Sequence, residues 1–120
     1  MAVLLVDDDP DQLALREMLF SQAGIAVLKA TTVAEALLLA RHDHPSCAVV
    51  DLCLPNEEDG LTLIRELKKI NDSVHILVLT GKRTHGLQNK PEWKSIAAVV
   101  TKGSPSAHLL ARVKSLHPNF

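Results

Sequence analysis

The sequence predicts one α/β domain in which a five-stranded parallel sheet is covered by helices on both faces. Its 120 residues suit a single core. Apolar runs recur at roughly even intervals, and each is followed by a stretch with helical signals. Continuous apolar runs are typical of strands buried on both faces, and regular strand–helix alternation favours right-handed parallel crossovers. The predicted strands are Ala2–Val6, Ile25–Leu28, Cys47–Val50, Ile76–Leu79 and Ala97–Val100.

Capping signals predict where the helices begin. Asp9 can cap the first helix, with Pro10 in its first turn and Gly24 at its end. Thr32–Glu35 is a capping box for the second helix, and Ser104-Pro105 opens the last one. The apolar positions at helical spacing are Leu15, Met18, Leu19 and Ala23 in the first helix; Ala36, Leu37 and Ala40 in the second; Leu61, Ile64 and Leu67 in the third; and Leu109, Leu110, Val113 and Leu116 in the last.

The segment after the fourth strand departs from this regular pattern. Gly81, Gly86 and Pro91 interrupt it, so we expect only a short or irregular helix there, near Glu92–Ala97.

Composition excludes several classes of function. The 13 basic and 14 acidic residues give a charge of −1, which argues against direct nucleic-acid contact. Two cysteines, Cys47 and Cys53, cannot form a disulfide framework and lack zinc-site spacing. No apolar stretch approaches the roughly 18 residues of a membrane span, and the N-terminus lacks signal-peptide features. We therefore expect a cytoplasmic protein without membrane contact.

Polar residues follow four of the predicted strands, at the edge of a parallel sheet where sites gather. Asp7, Asp8 and Asp9 follow the first strand, and Asp51 follows the third. Thr80 and Lys102 follow the fourth and fifth. Converging carboxylates repel one another, and Mg²⁺ relieves that repulsion with oxygen ligands. The set reads as a carboxylate nucleophile, a cation site, and a Thr and Lys that stabilise a transferring phosphoryl group.

Each of these residues also has a structural interpretation. Asp-Asp-Asp-Pro alone is usually helix capping, and Asp51 could cap a strand end. Thr80 and Lys102 taken singly are most often structural or solvated. The combination is what favours a site, because four independent coincidences at strand ends are improbable.

The full length of the chain resembles a response-regulator receiver domain of two-component signalling. The motifs that carry the resemblance are Val3-Leu-Leu-Val-Asp-Asp-Asp-Pro10, Val49-Val-Asp-Leu-Cys-Leu-Pro55 with Asp59-Gly60, Leu77-Val-Leu-Thr80 and Val99-Val-Thr-Lys102. The resemblance implies a flavodoxin-like strand order of 2-1-3-4-5. It also implies one receiver domain over residues 1–120.

By this resemblance, Asp51 accepts a phosphoryl group from a histidine kinase, a phosphotransfer protein or a small phosphodonor. Asp8 would bind Mg²⁺ directly together with Asp51, Asp7 would assist, and the backbone carbonyl of Cys53 would be a further ligand. Thr80 and Lys102 would contact the phosphoryl group. Asp9 matches the family's capping position. The phosphotransfer is self-catalysed, so the domain is expected to be a phosphoacceptor rather than a turnover enzyme.

Three features depart from the family pattern. Val99 replaces the usual aromatic residue, so a switch would have to use other elements, such as the irregular segment from Lys82 to Trp93. Gly103 replaces the usual proline, which predicts either a trans peptide bond after Lys102 or a bend that glycine permits. The loop 56–60 is one residue longer than usual, and we expect it to overhang the site and add acidic groups; a solvated turn is the other interpretation. Lys82 is expected to slow dephosphorylation by hindering water or pairing with phosphate.

The leading functional hypothesis is a phosphorylation-dependent switch that acts on an unidentified effector, with possible phosphorylation-dependent homodimers. One alternative is a receiver-like interaction module that works without phosphate. Another is that the chain is an N-terminal fragment of a DNA-binding regulator or hybrid kinase. A flavin binder or hydrolase on the same fold is disfavoured, because the chain has no Gly-rich phosphate loop, no Gly-x-Ser-x-Gly motif and few aromatics.

Overall fold

Strands and helices alternate along the chain, as the sequence predicts. The computed structural model describes residues 2–52, 54, 56–81 and 86–116. The strands are β1 (Ala2–Val6), β2 (Ala26–Ala30), β3 (Cys47–Asp51), β4 (His75–Thr80) and β5 (Ile96–Thr101). The helices are α1 (Pro10–Gln22), α2 (Val33–Asp43), α3 (Glu57–Ile70) and α4 (Ser106–Leu116), with 3₁₀ segments at Leu87–Asn89 and Pro91–Ser95. The strands form one parallel sheet in the order β2-β1-β3-β4-β5, which confirms the predicted topology.

The sheet separates two apolar layers. On one face, Leu4 and Val6 of β1 pack with side chains of α2 and α3. On the other, Val3 and Leu5 pack with side chains of α1 and α4. Because successive side chains of a strand point to opposite faces, every central strand must be apolar throughout, which explains the continuous runs in the sequence.

The predicted caps of the first two helices are present. The Asp9 carboxylate accepts a hydrogen bond from the Asp11 N–H at 3.0 Å and begins α1. Thr32 Oγ1 accepts from the Glu35 N–H at 3.1 Å, while Glu35 Oε1 accepts from the Thr31 N–H at 2.9 Å. These contacts satisfy backbone donors that a helix leaves unpaired at its N-terminus.

The apolar face predicted for α1 is wrong in part. Leu15 and Met18 are exposed, and only Leu19 and Ala23 of that set pack partly against the core. The buried face instead carries Leu13 and Phe20. The apolar spacing predicted the wrong face of α1, because the charged residue Arg16 occupies the inward position between Leu13 and Phe20.

The acidic segment after Pro55 is also not an overhanging loop. Asn56 caps α3 by accepting a hydrogen bond from the Asp59 N–H at 3.1 Å. Glu57, Glu58 and Asp59 form the first turn of the helix, where negative charge complements the helix dipole.

The remaining helical predictions are confirmed with small corrections. Leu61, Ile64 and Leu67 are buried in α3, as are Leu109 and Val113 in α4. The irregular segment forms two 3₁₀ turns over its described part, and its predicted end was too late, since Ile96 and Ala97 belong to β5. No helix within the described ranges is both long and apolar enough to cross a membrane.

Gly60 tests how tightly α3 packs against the segment after β3. A Cβ at this position would lie 2.1 Å from the backbone oxygen of Leu52. Gly60→Ala should therefore lower the free energy of unfolding by about 3 kcal/mol, despite alanine's better helix propensity. Urea unfolding measures this. Gly103→Ala is the matched control because a Cβ there meets nothing within 4 Å. Equal stability of the two variants would contradict the packing argument.

Cys47 should be inert and should make the fold sensitive to alkali. Burial raises the pKa of its thiol from the ordinary value of 9.0 to about 12. In the unfolded chain the thiol ionises near its ordinary value, so stability present below pH 9.0 is lost as pH rises towards about 12. Iodoacetamide followed by peptide mapping at pH 8 should leave Cys47 unmodified. Cys47→Ala should show a smaller loss of unfolding free energy above pH 9, and identical alkaline profiles would contradict this prediction.

Candidate functional site

The strand register brings the predicted site residues to one edge of the sheet. Val6 of β1 pairs with Val50 of β3, so the next residues, Asp7 and Asp51, come side by side. Asp51 pairs with Leu79 of β4. Thr80 pairs with Thr101 of β5, which places Lys102 one step beyond. Four separate segments of chain are therefore joined at this edge by backbone pairing.

Three carboxylates form the centre of the site. One oxygen each from Asp7, Asp8 and Asp51 lie within 4.8 Å of one another. Asp7 and Asp51 are only 1% and 2% exposed, whereas Asp8 is exposed to solvent. Such proximity of like charges in a partly buried site is costly unless cations compensate it.

Lys102 supplies one of the compensating charges. Its Nζ donates to Asp51 Oδ2 at 2.9 Å, and its side chain remains 38% exposed. Burial works against the Lys102 charge, but the hydrogen bond to Asp51 and the charges of Asp51 and Asp7 outweigh it and raise the Lys102 pKa. Lys102 therefore remains protonated beside Asp51.

A second cation comes from α1. Arg16 Nη1 lies 2.6 Å from Asp7 Oδ2, and the Arg16 side chain is 13% exposed. Burial favours the neutral form of Asp7, but the Arg16 hydrogen bond, the Asp9 N–H at 2.9 Å and the charges of Arg16 and Lys102 hold the Asp7 pKa below its usual value. Asp7 is thus kept ionised beside the other two acids.

Backbone hydrogen bonds fix the position of Lys102. Its N–H donates to the Thr80 carbonyl at 2.9 Å. The Ser104 N–H donates to the Thr101 carbonyl at 3.0 Å, and the hydroxyls of these two residues lie 2.6 Å apart. A tight turn therefore follows β5 and directs the chain into α4 directly after Lys102.

Most of the predicted site residues are brought together, and one contributor was missed. Asp7, Asp8, Asp51, Thr80 and Lys102 lie at this edge of the sheet, with Thr80 only 3% exposed. Asp9 caps α1, as expected. Cys53 and Lys82 lie outside the described residues. Sequence reasoning missed Arg16. Its spacing of three after Leu13 and four before Phe20 was a signal, because that spacing places all three on one helix face.

Solvent reaches the site beside Asp8. A cleft of about 460 Å³ there is lined by Asp8, Thr31, Thr32, Val33, Ala34, Leu54 and Asp59. An exposed carboxylate next to two buried ones gives a ligand an approach from this side.

The donor set fits a hard divalent cation. Carboxylate oxygens are the ligands that Mg²⁺ and Ca²⁺ prefer. The three carboxylate oxygens lie within 4.8 Å of one another, so a single ion between them would meet an oxygen ligand from each of the three residues. The acidic cluster could therefore bind a metal ion.

Comparison with known proteins identifies the class to which this fold and site belong. Residues 3–114 match the family described as "Response regulator receiver domain". The chain therefore belongs to the response-regulator receiver family, a class of phosphoacceptor domains rather than conventional enzymes. The fold is also that of a solved receiver domain protein (CheY-like) from Methanospirillum hungatei, with a TM-score of 0.86 and 23% identity over 95% of this chain and 90% of that one.

Curated relatives are longer regulatory proteins. The transcriptional regulatory protein PrrA of Mycobacterium tuberculosis is 33% identical over 119 residues, covering 95% of this chain and 48% of PrrA. The virulence transcriptional regulatory protein PhoP of Salmonella typhimurium is 35% identical over 118 residues, covering 97% of this chain and 51% of PhoP. The chain spans about half the length of these relatives.

Carboxylate repulsion predicts that Asp8→Asn stabilises the metal-free protein. Removing the exposed member of the cluster relieves repulsion on Asp7 and Asp51, which should raise the free energy of unfolding by about 1 kcal/mol in EDTA. The same variant should lose any stabilisation that added Mg²⁺ gives the wild type. Thermal and urea unfolding with and without Mg²⁺ measure both effects. Asp72→Asn, an exposed acid outside the cluster, should change neither.

Proposed function

We propose that this receiver domain accepts a phosphoryl group on Asp51 and thereby switches a signalling surface. The observation that carries the proposal is the surroundings of Asp51. It is a buried carboxylate with the Lys102 ammonium at 2.9 Å on one side and the carboxylates of Asp7 and Asp8 within 4.8 Å on the other. A buried nucleophile that already holds a cation is prepared for the extra negative charge that phosphorylation adds.

In the proposed transfer, a carboxylate oxygen of Asp51 attacks the phosphorus of the donor. A P–O bond forms to Asp51, and the bond from phosphorus to its leaving group breaks. With a phosphohistidine donor the imidazole nitrogen leaves, and with acetyl phosphate the acetate leaves. No other reactant is required.

The side chains of this chain position and neutralise the transferred group. The Lys102 ammonium contacts Asp51 before transfer and would donate a charge-assisted hydrogen bond to a phosphoryl oxygen afterwards. The Thr80 hydroxyl would donate to another phosphoryl oxygen. Thr80 is near Lys102 in the sheet, because it pairs with Thr101 of β5, the residue before Lys102. Asp8 and Asp51, with assistance from Asp7 and the carbonyl of Cys53, would hold Mg²⁺. When bound, the metal neutralises carboxylate repulsion and polarises the phosphoryl oxygens.

The proposed output involves the edge of the sheet at β5. Val99 is half-buried and packs against the core layer shared with α2 and α3. With no aromatic ring at this position, rearrangement after phosphorylation would fall to the segment between Thr80 and β5, whose described part is two short 3₁₀ turns. The second of these turns is joined to α3 by the Arg65–Glu92 pair at 3.3 Å, in which the Arg65 side chain is 51% exposed and the Glu92 side chain 10% exposed.

Residues 1–120 would constitute the receiver unit, acting in the cytoplasm with a histidine kinase or phosphotransfer protein as phosphodonor. PrrA and PhoP are described as transcriptional regulatory proteins, which makes regulation of transcription a candidate output of the protein to which this domain belongs. The receiver itself would act through protein contacts, including a possible homodimer, rather than by touching nucleic acid.

Intact-mass spectrometry after incubation with acetyl phosphate and Mg²⁺ tests the proposal. The wild type should gain one phosphoryl group, EDTA should prevent the gain, and Asp51→Asn should show none. Asp72→Asn, which removes an exposed carboxylate far from the cluster in sequence, should be phosphorylated like the wild type. A folded wild type that gains no phosphate at any Mg²⁺ concentration would contradict the proposal and favour a phosphate-independent interaction module.

A further inference from the structure

Arg16 occupies a position on α1 where packing alone would favour an apolar residue. It lies between Leu13 and Phe20 on the helix face that packs against the sheet, and both of those side chains are buried. Its own side chain is 13% exposed and its guanidinium reaches Asp7 at 2.6 Å. Burying an arginine there removes its charge from water, and the ion pair with Asp7 offsets this cost in free energy.

The contact involves the same carboxylate that a metal would need. Asp7 Oδ2 accepts from Arg16, and Asp7 Oδ1 accepts from the Asp9 N–H at 2.9 Å. Both oxygens therefore have a donor from the protein. A divalent ion that draws Asp7 into its coordination shell, directly or through a bound water, adds a second positive charge beside this carboxylate, and its repulsion of the Arg16 guanidinium weakens that ion pair. The Arg16 contact is the one that a cation can replace without disturbing the cap of α1.

The charges of the site point the same way. Three carboxylates face two protein cations, Arg16 and Lys102, so the described site carries a net charge of −1 before any metal binds. Without Arg16 the net charge would be −2. Since the attraction for a divalent ion grows with the negative charge that it meets, Arg16 lowers the electrostatic gain from binding one.

We propose that Arg16 is a resident counter-cation that competes with Mg²⁺ for Asp7, keeping the site folded without metal and making metal binding weaker. This rests on the proposed function, because it assigns the acidic cluster to Mg²⁺. A cavity of about 100 Å³ next to Arg16, between α1 and the turn into α4, would receive the displaced guanidinium. It is lined by Lys102 as well as by the polar residues Gln12, Thr101, Ser104 and Ser106, whose side-chain oxygens could accept hydrogen bonds from the guanidinium.

Titration of Mg²⁺ into ¹⁵N-labelled protein, followed by NMR, tests the competition directly. Arg16→Gln keeps a polar side chain that can donate hydrogen bonds, but it is shorter and carries no charge. It should bind Mg²⁺ about ten-fold more tightly than the wild type, equivalent to about 1.4 kcal/mol. Arg65→Gln breaks a surface arginine–carboxylate pair of the same chemistry and should leave the Mg²⁺ affinity unchanged. An affinity of Arg16→Gln that equals or falls below that of the wild type would overturn the proposal.

Thermal unfolding supplies a second measurement, and it also shows whether Arg16→Gln folds without metal. In EDTA, the melting temperature of Arg16→Gln should be below that of the wild type, and saturating Mg²⁺ should reduce the difference between the two melting temperatures. Arg16→Lys retains the charge, so its Mg²⁺ affinity should stay nearer to that of the wild type than to that of Arg16→Gln. If Arg16→Gln does not fold in EDTA, Arg16→Met takes its place in the titration, since it restores an apolar side chain to the buried face. A Mg²⁺ affinity of Arg16→Met at or below that of the wild type would equally overturn the proposal.

The phosphorylation assay separates this inference from the proposed function. If the wild type gains phosphate on Asp51 but its Mg²⁺ affinity matches that of Arg16→Gln, the competition is wrong and the phosphoacceptor role stands. If Arg16→Gln binds Mg²⁺ more tightly yet neither protein gains phosphate, the competition stands and the phosphoacceptor role is wrong.

Discussion

Mutual repulsion among three carboxylates at one edge of the sheet is the constraint on which the rest of this structure depends. Asp7 and Asp51 are almost completely buried, and Asp8 lies next to them in contact with solvent. A fold that was selected for stability alone would not place them within 4.8 Å of one another. Lys102 and Arg16 partly neutralise this repulsion, and the remaining excess of negative charge makes the edge suitable for a divalent ion.

The parallel sheet provides the rigidity that this arrangement needs. The acids lie at the ends of strands whose side chains are buried on both faces, so a slip of one residue in register would exchange the two apolar layers. The packing of α2 and α3 on one face and of α1 and α4 on the other therefore fixes the position of Asp7 relative to Asp51. The packing of the core therefore also determines the geometry of the site.

Two of the sequence predictions that failed have a common cause. The apolar spacing of α1 pointed to Leu15 and Met18, but the inward face contains Arg16, whose partner Asp7 lies on a different element. The acids at Glu57–Asp59 suggested a loop, but Asn56 caps them into the first turn of α3. In both places the side chain's role depends on a partner that local periodicity does not reveal.

The sequence by itself determined the fold class, the order of its elements and five residues that meet at one edge of the sheet. It could do so because continuous apolar runs identify buried parallel strands, and because functional groups in such sheets follow the strand ends. Only the tertiary structure decided how those residues interact. The closeness of the three carboxylates, the contact of Lys102 with Asp51 and the pairing of Arg16 with Asp7 connect residues between 1 and 51 positions apart, and such distances follow from strand register and helix packing.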